Sequence, residues 1–212
     1  MIITSVQYKE RYIRIILDSA EELRLPLESA GRFPLRVDGE LSSGDYETLH
    51  SMSQRFRCQE RALHFLSFRN RSTREMEQYL RKKSFDPDVI DATIERLKEL
   101  NYIDDYNFAL RYIEGKLRRK AVGPRLLRQE LFQKGIASSL IDRAMEENEE
   151  LLGDEEALIR LAEKKYRSLE GKEDRSLRLT RFLYQRGFEG NAVKRTVRRL
   201  EKGEDEEEFY LE

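Results

Sequence analysis

The sequence predicts a mainly α protein: three tandem three-helix repeats in an elongated curved array, with a small N-terminal antiparallel β extension. Three observations point there. First, one helix-ending signature recurs, as Leu80-x-x-x-Ser84-Phe85, Leu131-x-x-x-Gly135-Ile136 and Leu183-x-x-x-Gly187-Phe188. The period of about fifty residues is in the range of tandem helical repeats. Second, 38% of residues are charged and 9% aromatic. That is too charged for one thick core and suits a thin array in which each helix buries one stripe. Third, residues 1–44 carry short β-branched runs where the remainder shows helical spacing.

The β extension comes first. Ile2, Val6 and Tyr8 fall on even positions, Tyr12 to Asp18 is β-branched and aromatic, and Leu23 to Leu27 alternates apolar and polar. These read as three short strands with turns at Lys9-Glu10-Arg11 and Asp18-Ser19-Ala20-Glu21. Pro26 suits an edge or a strand end because it cannot donate to a ladder. So short a segment buries little and is expected to lean on the first helices.

Repeat 1 covers 45–103. Tyr46, Leu49, Met52 and Phe56 are three or four apart, and the same helix continues through Ala62, Leu63 and Leu66 to about Phe68. Ser72-Thr73-Arg74-Glu75 reads as a capping box opening the middle helix. Asp86-Pro87 places a cap before a first-turn proline. Repeat 2 covers 104–152. Asp104 is placed to accept an orphan N–H of the next turn, and Phe108 and Tyr112 share a face. Gly123-Pro124 stops that helix and opens another, which Gly135 closes as a left-handed C-cap. An acidic stretch, 146–156, bridges to repeat 3, 153–202, whose middle helix begins near Asp174 and last helix near Gly190. The tail, 203–212, is acidic and predicted to be disordered.

Catalytic constellations are missing from the residue inventory. His50 and His64 are the only histidines, and each suits a surface or half-buried helix position better than a metal site. Cys58 is the single cysteine, so no intramolecular disulfide forms. It suits packing better than nucleophilic chemistry, since no base is placed for it. The adjacent Asp104 and Asp105 suit helix capping better than acid–base work. No phosphate-cradling or dinucleotide glycine pattern occurs. A non-enzyme is expected, with no catalytic, metal or cofactor site. Nothing in the sequence spans a membrane or reads as a secretion signal, so a cytoplasmic monomer is expected.

The informative chemistry is basic. Between Arg111 and Arg128 lie Lys116, Arg118, Arg119, Lys120 and Arg125, opposed only by Glu114. Arg175, Arg178 and Arg181 are three apart on one helical stripe. Lys194 with Arg198, and Arg195 with Arg199, are four apart on the next helix. Arg69, Arg71 and Arg74 surround the start of the first middle helix. Charge runs are ordinarily solvated helix faces. Here the sign is one-sided within each segment, which favours positive patches that meet phosphates or an acidic protein surface. No patch shows aromatics interleaved for base reading.

The central stretch resembles the RecX family, bacterial regulators of the RecA recombinase. The resemblance rests on Ser72-Thr73-x-Glu75, on Leu97-x-x-Leu100-x-Tyr102-Ile103-Asp104-Asp105-x-x-Phe108-Ala109-x-x-Tyr112-Ile113, and on Gly123-Pro124-x-x-Leu127-x-x-Glu130-Leu131-x-x-Lys134-Gly135-Ile136. It extends over roughly residues 58–200. Ser84 departs from the pattern, standing where a glycine is usual. The resemblance implies a curved array of three three-helix repeats. It also implies binding in the groove of the RecA–single-stranded DNA filament, inhibition of strand exchange and ATP hydrolysis, and filament loss. The basic residues named above would then meet the filament or its DNA, single- or double-stranded. A stand-alone nucleic-acid-binding protein built from helix-turn-helix-like repeats is the alternative.

Overall fold

The computed structural model describes residues 1–203. The acidic run expected to be disordered falls, beyond Gly203, outside the described residues. The chain divides into two compact units, Met1–Ile103 and the part from Asp104 onward.

In the first unit, β1 (Ile3–Tyr8), β2 (Tyr12–Leu17) and β3 (Glu22–Pro26) form an antiparallel sheet in chain order. Both predicted turns are present: Lys9 N–H donates to Tyr12 C=O, and Leu17 N–H to Glu21 C=O, each at 2.9 Å. The even-position reading of the first strand needs one correction. Val6 pairs with Ile15 on the core side, Tyr8 pairs with Ile13 but is 61% exposed, and the register slips between Ile3 and Ser5. This bulge turns Ile3, not Ile2, into the core. Ile3 is fully buried, whereas Ile2 is exposed and bridges to Glu40.

Both edges of the sheet are covered. Leu27–Gly31 forms a short 3-10 turn after β3. The chain then returns along β1, with Ile3 N–H donating to Gly39 C=O at 3.0 Å. On the other edge, Arg24 N–H donates to Ser53 Oγ at 2.9 Å. Covered edges resist pairing with foreign strands.

Ser53 belongs to α1 (Ser43–Leu66), a continuous 24-residue helix, roughly 36 Å long. Its first half brings Leu49, Tyr46 and Met52 against Ile13, Ile15, Leu23 and Leu25 of the sheet. Its second half brings Cys58 and Ala62 to a separate core with Met76 and Leu80 of α2 (Thr73–Lys82) and Ile90, Ile94 and Leu97 of α3 (Pro87–Glu99). Ser72 caps α2 by accepting from Glu75 N–H at 3.2 Å. Asp86 sits at the N-cap of α3 but makes no side-chain cap bond. Cys58 is completely buried, and burial pushes its thiol pKa up.

The second unit holds two more three-helix cores. α4 (Asp105–Leu117), α5 (Pro124–Gln133) and α6 (Ser138–Glu147) enclose Phe108, Ile113, Leu127, Leu131 and Ile141. The acidic bridge contains one helical turn, α7 (Glu149–Leu152). α8 (Glu155–Arg167), α9 (Arg175–Gln185) and α10 (Gly190–Lys202) enclose Leu158, Leu179, Leu183, Phe188 and Val193. Asp104 caps α4 through Asn107 N–H at 3.0 Å. That hydrogen bond, the largest cause, lowers the Asp104 pKa.

The recurring helix end is one device at two of its three places. Gly135 (φ 81) and Gly187 (φ 83) are left-handed, and the next amide reaches back: Ile136 N–H to Leu131 C=O and Phe188 N–H to Leu183 C=O, each at 3.2 Å. This is the Schellman closure with its apolar contact. Ser84 takes the same hand, φ 60, without being glycine.

The two bundles of the second unit are joined by backbone. Gly123 N–H donates to Arg186 C=O at 2.8 Å, and Arg125 N–H to Gly187 C=O at 3.1 Å. Gly123, the N-cap of α5, has no side chain with which to cap. Carbonyls at the end of α9 do that instead, so orphan donors of one helix meet orphan acceptors of another, with opposite dipole ends facing. The approach leaves no room for a side chain. A Cβ on Gly123 would lie 2.2 Å from Gly187 C and O. The connector divides its apolar residues between the two cores, Val122 to one and Ala121 to the other.

Candidate binding surfaces

Three of the basic residues expected to face a partner are turned inward instead. Arg71 donates through Nε to Phe65 C=O at 3.3 Å and lays its guanidinium 3.7 Å from the centre of the same ring. Phe65 is stacked in turn on Tyr79, centroids 3.9 Å apart. Burial, then the neighbouring Arg69 charge, lowers the Arg71 pKa. Arg175 repeats the arrangement: Nε donates to Tyr166 C=O at 2.8 Å and the guanidinium lies 3.5 Å from that ring. In both bundles an arginine at the start of the middle helix staples the end of the preceding one. Cation–π contact and a carbonyl acceptor hold each in place.

Lys116 forms the third inward group. Its Nζ lies 2.8 Å from Glu130, which also accepts from Tyr112 Oη at 2.7 Å. Burial opposes the Lys116 charge, but the bonds to Glu130 and Tyr112 outweigh it and its pKa is raised. Burial likewise opposes the Glu130 charge, and Lys116 and Tyr112 reverse the balance, lowering its pKa. Burial and the Glu130 carboxylate both raise the Tyr112 pKa. The cluster ties α4 to α5.

Other predicted residues are outward but paired. Arg128 ion-pairs with Asp142, and Arg195 with Glu155 at 2.6 Å. Arg178 donates to Glu173 C=O at 3.0 Å. Exposed pairs of this kind contribute only about 0.2–1 kcal/mol, so a phosphate or carboxylate partner can displace them. Arg118 has only Glu114, at 3.6 Å. Arg74, Arg111, Arg119, Arg125, Arg181, Lys194 and Arg198 are exposed and have no carboxylate within salt-bridge distance among the described residues. Lys120, beside Arg119, is exposed too.

Two groups of exposed cations stand out in the second unit, with Arg111 apart from both. One lies at the end of α4, its connector and the start of α5, with Arg118, Arg119, Lys120 and Arg125. The other lies on the outer faces of α9 and α10, with Arg181, Lys194 and Arg198. Two exposed aromatics on the same helices escaped the sequence reading. Phe132 on α5 is 65% exposed and Tyr184 on α9 is 38% exposed. The signal for Phe132 was present: Leu127 and Leu131 fix the buried stripe, so Arg128 and Phe132, each one residue further, share the adjacent face.

No group of three or more His, Cys, Asp or Glu among the described residues is placed to share a metal ion. No helix among them is long and apolar enough to cross a membrane.

Repeated three-helix bundles with covered cores, helix ends closed by one motif and unpaired cations outside define the class: a tandem three-helix-repeat protein. Three family models match in succession: RecX, first three-helix domain, over residues 58–97, the second over 104–145 and the third over 153–197. The chain belongs to the RecX family. A relative named regulatory protein RecX, from Streptococcus pyogenes serotype M5 (strain Manfredo), is 31% identical over 99% of this chain and 81% of its own length. One of the same name from Listeria monocytogenes serovar 1/2a is 32% identical over 66% of this chain and 51% of its own. Two solved structures share the fold. The crystal structure of regulatory protein RecX has a TM-score of 0.73 and 23% identity, covering 91% of this chain and 97% of that one. The crystal structure of RecX from Lactobacillus salivarius has a TM-score of 0.61 and 24% identity, covering 70% and 97%.

Proposed function

We propose that this chain binds the filament that RecA forms on single-stranded DNA and inhibits its recombinase and ATPase activity, making and breaking no bonds itself. In this reading residues 1–44 are an extension, 45–103, 104–152 and 153–202 are the repeats, and the protein acts as a cytoplasmic monomer without a cofactor. Membership of a family of regulatory proteins supports it. The observation that carries it is the α4–α5 connector. Arg118, Arg119, Lys120 and Arg125 are exposed there, with Glu114, 3.6 Å from Arg118, the only carboxylate within ion-pair range among the described residues. Cations not neutralised internally are available to an anionic polymer, and several acting together exceed what one exposed pair supplies.

The test is charge reversal of Arg118, Arg119, Arg125 and Arg128 together, with the protein titrated into RecA ATPase on single-stranded DNA. Inhibition is expected to disappear while the far-ultraviolet circular dichroism stays unchanged. Full inhibition by the reversed protein would remove this surface from the mechanism.

A further inference from the structure

The fold brings Tyr184, from another helix, beside the cations of α5, which carries Phe132 itself. Along α5, Arg125 and Gln129 are four apart, as are Arg128 and Phe132, and all four are exposed. Two hollows meet at Gln129. One, of about 280 Å³, is lined by Arg125, Gln129, Tyr184 and Gln185 among others. The second, of about 310 Å³, is lined by Arg128, Gln129, Phe132, Ser138 and Ile141. Among the described residues no carboxylate lines either. Asp142 ion-pairs with the lining Arg128. The Gly123–Gly187 junction fixes α5 against the end of α9 and so brings Tyr184 and Gln185 alongside Arg125.

We propose that this trough binds single-stranded nucleic acid directly, with phosphates on Arg125 and Arg128 and unpaired bases against Phe132 and Tyr184. The inference rests on the reading that the cationic faces meet a DNA-bearing filament, and it names what this face touches there. The chemistry selects the ligand. A run of acidic residues would use the two arginines, and its backbone could meet the amides, but it would leave the rings without a flat face to stack on. A nucleotide offers an anion, a flat apolar face, and edges that both donate and accept, as the amides of Gln129 and Gln185 do. A duplex keeps its base faces stacked inside, so only an unpaired strand can use the rings. Stacking on aromatics is tolerant of sequence because every base has a π-face.

The test uses the full-length protein without RecA. Anisotropy is recorded for a labelled thymidine oligonucleotide and for an abasic strand with the same number of phosphates. The natural protein is expected to prefer the base-bearing strand by about 5–100-fold. Phe132→Ala and Tyr184→Ala should each erode that preference without changing the salt slope. Arg125→Ala should leave the preference intact and lower the slope by about one phosphate contact. Phe132→Leu, apolar but unable to stack, should behave like Phe132→Ala, which separates stacking from packing. Equal binding of the two strands by the natural protein overturns the proposal. So does preference unchanged in both ring variants, or displacement of the oligonucleotide by polyglutamate at equal charge. These results are independent of ATPase inhibition. If the trough shows no base preference while the fourfold reversal still abolishes inhibition, the trough alone is wrong. If the reversed protein also inhibits fully, the filament reading falls with it.

Discussion

Replacing Gly123 by alanine adds one methyl group, and the structure sets its cost. The Gly123 backbone is extended, φ −80 and ψ 160, which alanine adopts freely, so conformation contributes nothing. Space decides. The new Cβ would stand 2.2 Å from Gly187 C and O and 2.3 Å from Phe188 N, all backbone atoms that no rotamer change can clear. Either the overlap is borne, at about 1–3 kcal/mol for an overpacked site, or the helix ends separate. Separation loses the Gly123–Arg186 and Arg125–Gly187 hydrogen bonds, about 0.5–1.5 kcal/mol each. A loss of about 2–6 kcal/mol follows when both act. For a unit of this size even the lower figure lowers Tm by about 8 °C or more. Thermal unfolding followed by circular dichroism reads it, as a lower midpoint or as splitting into two transitions. Gly115→Ala is the control. Gly115 lies inside α4 with nothing within 4 Å of the added Cβ, so the change should stabilise by about 0.5–1 kcal/mol. A Gly123→Ala protein that melts in one step within a degree of the natural chain would refute the junction as a source of stability.

Further expectations follow from single contacts. Asp104→Ala removes the N-cap of α4 and should cost about 0.5–2 kcal/mol in urea unfolding at neutral pH. Folded Asp104 and Glu130 both have lowered pKa values, so the unfolded chain binds more protons in acid. Their contribution is complete above the ordinary carboxylate range and fades as pH falls through the folded values. Asp104→Ala and Glu130→Gln should each flatten the acid limb of the stability curve, and a limb as steep as the natural one counts against them. Ser53→Ala strips the acceptor from Arg24 N–H and should destabilise by about 1–3 kcal/mol; an unchanged urea midpoint would mean solvent replaces the hydroxyl. Cys58, buried and with its thiol pKa raised by that burial, should react with an aromatic disulfide reagent only as fast as the protein opens. Prompt stoichiometric labelling of native protein would contradict that.

What could be read from residues alone was local chemistry. Ser72 and Asp104 were legible as caps because a capping oxygen acts on an amide three residues away. The helix ends at Gly135 and Gly187 were legible because left-handed backbone selects glycine. Distant pairings left weaker traces. Gly123 and Gly187 each had a sufficient local explanation, as helix opener and helix closer, which hid their contact with each other. Ile2 was misplaced because a bulge breaks strict alternation without marking the sequence. Arg175 was counted into an outward stripe because spacing gives position on a helix but not where a long side chain ends. Its target, the ring and carbonyl of Tyr166, lies on another helix. The free cations were easier to foresee, since in the α4–α5 connector few carboxylates are near enough to neutralise them.

The uninterrupted α1 makes the N-terminal sheet hard to discard. Its first half roofs the strands and its second half walls a helical bundle. Trimming the chain to begin at Ser42 would therefore leave Tyr46, Leu49 and Met52 as a bare greasy strip in water, an invitation to self-association. Crossing this sheet out of the protein, or grafting it onto a cousin, would require the helix to be rewritten along with it.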